Sequence, residues 1–310
     1  MYIDQINNKK FNFILYLPIP LVFLGLIVLN YFTTEDMNVE EMMQIMINQL
    51  GTNLTFAIMV GQLAFCCLIL LFWVKFIHGQ SIRSLTTSRK KIDWKRIFFS
   101  FSIWGAFTLA TTLVVYFLSP ENFVVNFDPI KFFPFLILAI VLIPLQTSFE
   151  EYLFRGYLMQ GIGVVTKSRL IPLIITSVSF GLMHIANPEV GKLGMIIMVY
   201  YIGTGFFLGI ITLMDEGLEL ALGFHAANNL IGALLVTADW TAFQTHSILK
   251  DVSEPSAGFD VLFPVLVIFP ILLLIFGRKY KWTNWKEKLT GKVYEHCPEN
   301  DLINTIGDHD

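Results

Sequence analysis

Charge is scarce in this chain: 15% of its 310 residues are Asp, Glu, Lys or Arg, 55% are hydrophobic, and the mean hydropathy is +0.64. A soluble domain carries closer to a quarter charged residues, so a water-solvated globule is excluded. Cysteine is scarcer still. Of the three, Cys66 and Cys67 are adjacent inside an apolar segment and Cys297 lies in the polar tail, which leaves neither a disulfide framework nor a Cys-x-x-Cys metal site. No segment repeats at a period of about 20–50 residues. No small-x-small cleavage site follows the apolar run Phe11–Tyr31 behind Lys9 and Lys10, so that run is expected to stay as a first helix. The net charge of −3 is too small to argue for a nucleic-acid or acidic partner.

What the chain has instead is apolar blocks of about 17–25 residues, the length an α-helix needs to cross a ~30 Å hydrocarbon core. A β-barrel would show short alternating segments, and the runs Phe56–Val74 and Phe263–Phe276 do not alternate. The expected fold is all-α, a polytopic transmembrane bundle of about eight helices. The spans fall near Phe11–Phe32, Asn53–Ile77, Ile97–Leu118, Phe132–Val165, Leu170–Asn187, Gly194–Met214, Leu220–Ala238 and Val261–Gly277. Residues 1–277 form one membrane domain, and 278–310 a polar cytoplasmic tail.

Orientation follows from Lys and Arg, because positively charged short loops stay cytoplasmic. Arg83, Arg89, Lys90, Lys91, Lys95 and Arg96 follow the second span, Lys167 and Arg169 the fourth, and Arg278, Lys279, Lys281, Lys286 and Lys288 the eighth. The first outer loop has Glu35, Asp36, Glu40 and Glu41, and the last, about 239–260, has Lys250 as its one basic residue. Both termini are therefore expected in the cytoplasm, with the chain integral to the cell (inner) membrane. Asp215, Glu216 and Glu219 in the sixth-to-seventh connection are the exception.

Ionisable side chains embedded in apolar sequence are costly and mark function. Three clusters qualify: Glu150, Glu151 and Arg155 in SFEEYLFRGYL, His184 in SVSFGLMHIAN, and His225 with Asn228 and Asn229 in LGFHAANNL. On a helix Glu151 and Arg155 face the same way as an i,i+4 pair, and Glu150 points elsewhere, free to act as a general base. The plainer reading is a salt bridge with a spare carboxylate. His184 follows Phe180 by four residues and can orient a water or bind a metal, or serve as a hydrogen-bonded packing residue. His225 and Asn229 share a helix face and can offer N–H groups to an oxyanion, with Asn228 competing, or can simply bond helices together.

Taken together, E-E-x-x-x-R, F-x-x-x-H and H-x-x-x-N on three apolar helices resemble the CAAX protease and bacteriocin-processing (CPBP, or Abi) family over roughly residues 132–238. The resemblance implies an intramembrane endopeptidase acting on a membrane-associated peptide or protein. It implies that Glu150 activates water with His184, that His225 and Asn229 stabilise the oxyanion, and that Glu151, Arg155 and Phe180 support them. Members are often labelled metalloproteases, yet this chain has no His-Glu-x-x-His run. Two mechanisms stay open: Zn²⁺ held by Glu150, His184 and His225, or a metal-free water, the latter favoured because Asn229 beside His225 fits a donor pair better than a ligand shell. The rivals are a catalytically idle scaffold or immunity protein of the same fold, and a proton-coupled transporter, for which no inverted repeat argues.

The fourth span is too long for one crossing. Glu150 and His184 lie equally far from Lys167, so a hairpin turning there sets them level, roughly 25 Å from its tip. That hairpin is expected to project about 12 Å into the cytoplasm, bringing both level with His225 and leaving Pro188–Leu193 below the outer surface.

Overall fold

The computed structural model describes residues 1–6, 11–33 and 39–294, so Lys9, Lys10, Glu35, Asp36 and Cys297 lie outside the described residues. Each long apolar run becomes a helix, since in hydrocarbon every backbone group must be satisfied within its own segment. The helices are α1 (Pro18–Thr33), α2 (Val39–Leu50), α3 (Thr52–Phe76), α4 (Trp94–Leu118), α5 (Pro129–Thr166), α6 (Leu170–Leu182), α7 (Pro188–Leu193), α8 (Ile197–Asp215), α9 (Glu219–Leu235), α10 (Val261–Lys279) and α11 (Trp285–Thr290). Five of them, α3, α4, α5, α8 and α10, are long and apolar enough to cross a membrane. The other three expected spans, α1, α6 and α9, have 16, 13 and 17 residues.

Local chemistry sets the ends. Asp128 caps α5 by accepting from Ile130 N, with Pro129 in the first turn, where a missing N–H costs nothing. The over-long fourth run is one helix, α5, whose residues Tyr152–Leu158 wind as π-helix directly after Glu151. Lys167 closes it in the left-handed region at φ 51°, and Glu216 closes α8 the same way at φ 57°. The fifth span was expected to reach Asn187 but stops at Leu182, because Asn187 is extended ahead of Pro188 (ψ 145°).

Close packing is carried by glycines. A Cβ on Gly205 of α8 would lie 2.3 Å from the Ser177 carbonyl oxygen of α6, and one on Gly223 of α9 would lie 2.1 Å from the Ile97 carbonyl oxygen of α4. Helices in lipid gain stability from such contact, since burying apolar surface from equally apolar lipid gains little. Aromatic rings fill the space between α4, α8, α9 and α10: Phe224 meets Trp104 at 4.4 Å and Phe207 at 4.8 Å, and Phe207 stacks on Phe269 at 4.6 Å.

The connections sort to two ends. At one end, Tyr2 N–H donates to Glu216 (2.5 Å), Arg89 reaches both Asp215 (2.8 Å) and Glu219 (3.0 Å), Arg96 pairs with Asp215 (2.5 Å), and Lys288 donates to the Met214 carbonyl (2.8 Å). The basic loops thus meet the acidic sixth-to-seventh connection, which accounts for its exceptional charge. The tail is tied down here through residue 293, where Val293 N–H donates to the Lys167 carbonyl. At the opposite end β1 (Phe123–Val125), β2 (Val236–Thr237) and β3 (Leu249–Asp251) form a small sheet ordered β1-β3-β2, antiparallel then parallel. Helix α7 is held to this end by the Glu189 carboxylate, which accepts from Ala242 N–H at 2.9 Å.

Candidate active site

Glu150 and Glu151 end the α-helical part of α5, and both are buried, at 5% and 0% exposure. Their surroundings differ. Glu151 Oε1 accepts from Arg155 Nη1 at 3.0 Å and from His225 Nδ1 at 2.8 Å. Arg155, itself fully buried, also donates to the Gly205 carbonyl at 3.1 Å and lies 4.1 Å over the Phe180 ring. Glu150 has no guanidinium. Its Oε1 accepts from Gln146 Nε2 at 2.5 Å, whereas Oε2 is buried without a hydrogen bond, 3.7 Å from His225 Nε2.

With its Nδ1–H held by Glu151, the His225 ring is fixed in angle and its Nε2 faces Glu150. One turn on, Asn229 Nδ2 donates to Gln146 Oε1 at 3.2 Å, and Asn228 Nδ2 donates to Asn229 Oδ1 at 3.0 Å. Asn228 Oδ1 in turn accepts from Trp104 Nε1 (3.1 Å) and Tyr200 OH (3.3 Å). The structure therefore gathers Glu150, Glu151, Arg155, His225 and Asn229 around one point, and it adds Gln146. Sequence reasoning missed Gln146, although a polar residue four positions before Glu150 in an apolar run was a usable signal.

His184 was expected on the fifth helix and instead lies in the turn beyond α6. Its Nδ1 donates to the Phe180 carbonyl at 2.9 Å, and its ring stacks on Tyr201 at 4.5 Å. The Phe180 ring contacts both imidazoles, 5.1 Å from His184 and 5.7 Å from His225. Nearby, burial pushes the Glu189 carboxyl up, opposed by the Ala242 N–H and the His184 ring. The metal set Glu150, His184 and His225 does not assemble: among the described residues no three His, Cys, Asp or Glu side chains are placed to hold an ion. His225 Nδ1 is taken by Glu151 and His184 Nδ1 by the Phe180 carbonyl, which leaves Nε2 of each ring as its remaining nitrogen.

Residues 129–231, which carry every one of these groups except Trp104 and Ala242, match the family described as "Type II CAAX prenyl endopeptidase Rce1-like". The "Uncharacterized protein YyaK" of Bacillus subtilis (strain 168) is 30% identical over 211 residues, 67% of this chain and 71% of that protein. The chain belongs to the CAAX protease and bacteriocin-processing family. Family membership makes peptidase chemistry within a bilayer, on a protein substrate, the activity at family level. No solved structure matches the chain.

Proposed function

We propose that the protein is an intramembrane endopeptidase in which Glu150 is the general base that activates water. The observation that carries this reading is the buried Oε2 of Glu150, unpartnered and 3.7 Å from His225 Nε2. A water bonded beside this pair gives its proton to Oε2 as its oxygen attacks the scissile carbonyl carbon. His184, whose Nδ1 donates to the Phe180 carbonyl, meets the Phe180 ring that also faces His225. The carbonyl oxygen becomes an oxyanion facing the second Nδ2–H of Asn229, beside the His225 ring. Collapse of the intermediate breaks the C–N bond while Glu150 returns its proton to the leaving amine.

The substrate class is a membrane-associated peptide or protein, with the prenylated CAAX terminus of the matched family's description as the first candidate. Glu150→Gln should lower the rate by about 10²–10⁴-fold, the worth of general base catalysis, with expression unchanged. The measurement is mass spectrometry of peptides released from host membranes by purified enzyme. Undiminished release by Glu150→Gln would overturn the assignment, whereas a scaffold would release no peptide in either form.

A further inference from the structure

We propose that Gln146 is the positioning residue that aims the Glu150 carboxylate and couples it to the Asn229 amide. The inference rests on the proposed role of Glu150. Gln146 is 3% exposed in an apolar helix, where an amide is tolerated only if both its ends are bonded, and both are. Two residues before it, Pro144 supplies no N–H, so this stretch of α5 already departs from a plain apolar helix.

The direction of the row is fixed from its far end. An indole N–H can only donate, so Trp104 forces Asn228 to present Oδ1 to it. Asn228 must then give Nδ2 to Asn229 Oδ1, Asn229 must give Nδ2 to Gln146 Oε1, and Gln146 is left with Nε2 for Glu150. No amide in the row can flip without setting like against like. Two consequences follow for the reaction. Glu150 Oε1 is occupied, so Oε2 is the oxygen left to take the proton, on the side of His225. Asn229 is held with its remaining N–H free for the oxyanion. The row runs from α4 through α9 to α5, with Tyr200 of α8 reinforcing its origin, so one chain of hydrogen bonds registers the base against the oxyanion donor.

Gln146→Leu keeps the volume and removes both bonds. A base displaced by about 1 Å can cost 10²-fold, so kcat should fall by about 10–100-fold with KM within about twofold. Gln146→Glu is the sharper variant. It still accepts from Asn229 but has no N–H for Glu150, and two facing carboxyls share a single proton. His225, Glu151 and Arg155 are the other titratable and charged groups around Glu150 and are unchanged. Activity of Gln146→Glu should therefore persist while the pair keeps its shared proton and be lost as the pH rises and that proton leaves, a profile that simple loosening of the fold would not produce. Trp104→Phe, which releases the origin of the row, should lower kcat in the same sense. All variants are assayed on the peptides that the wild type releases from host membranes.

If both Gln146 variants keep the wild-type kcat and pH profile while Glu150→Gln is dead, the positioning role is wrong and the base stands. If Glu150→Gln is active, or the wild type releases nothing, the underlying assignment fails instead. Should Gln146→Leu not accumulate in the membrane, Gln146→Glu assayed at two pH values on one preparation decides the same question.

Discussion

Glu150 and Glu151 are adjacent in the chain and have opposite environments. Glu151 is bound by a guanidinium and an imidazole, and Glu150 by a single amide, because a helix turns about 100° per residue and sends the two carboxylates to different neighbours. Their neutral isosteres should separate the two roles. Glu151→Gln strands Arg155 as an uncompensated buried charge and should cost about 3–5 kcal/mol, seen as a lower melting temperature in detergent. Glu150→Gln should melt like the wild type while losing activity. Equal melting of the two variants would mean that Glu151 does not anchor Arg155. The pairing of Glu151 with Arg155 was legible in the sequence, since four residues on a helix bring side chains together. That Glu151 also holds His225 was not, because those residues are 74 positions apart and on helices whose relative rotation no local pattern records.

Among the helices, the contacts that place the site are backbone to backbone. Ser177 Oγ and Arg155 both donate to the Gly205 carbonyl, so the close approach of α6 and α8 also anchors the guanidinium that holds Glu151. Gly205→Val would drive a side chain into the Ser177 carbonyl and should lower stability by at least the roughly 1–3 kcal/mol typical of overpacking, with loss of activity. Gly232→Ala, on α9 with open space around it, should instead be neutral or gain up to about 1 kcal/mol from helix propensity. Melting curves of both variants in one detergent test the contrast, and a harmless Gly205→Val would refute the close approach. Hydropathy located the helices well, but it misjudged α6 and the position of His184. Periodicity weighs residues by polarity, and the end of α6 was decided by the extended backbone that Pro188 imposes on Asn187.

Across the whole molecule, the basic loops lie together at one end, where Arg89 and Arg96 neutralise Asp215 and Glu219. We propose that this end faces the cytoplasm, since positively charged short loops tend to be retained there. A cysteine introduced by Lys91→Cys should then react with an impermeant thiol reagent only in opened cells, and one introduced by Glu254→Cys in intact cells, both in a background with Cys297 removed. The reverse labelling pattern would invert the topology. The sequence by itself determined the membrane as solvent, the helical class and the family, because a bilayer demands long apolar helices whatever their partners and because motif spacing on one helix is a local property. Only the tertiary structure decided which oxygen of which carboxylate meets which nitrogen, that Gln146 joins Asn229 to Glu150, and that His184 and His225 meet the same Phe180 ring. Those outcomes depend on the depth and rotation at which distant helices lock together, which glycine contacts and a directed row of amides fix only once the chain has folded.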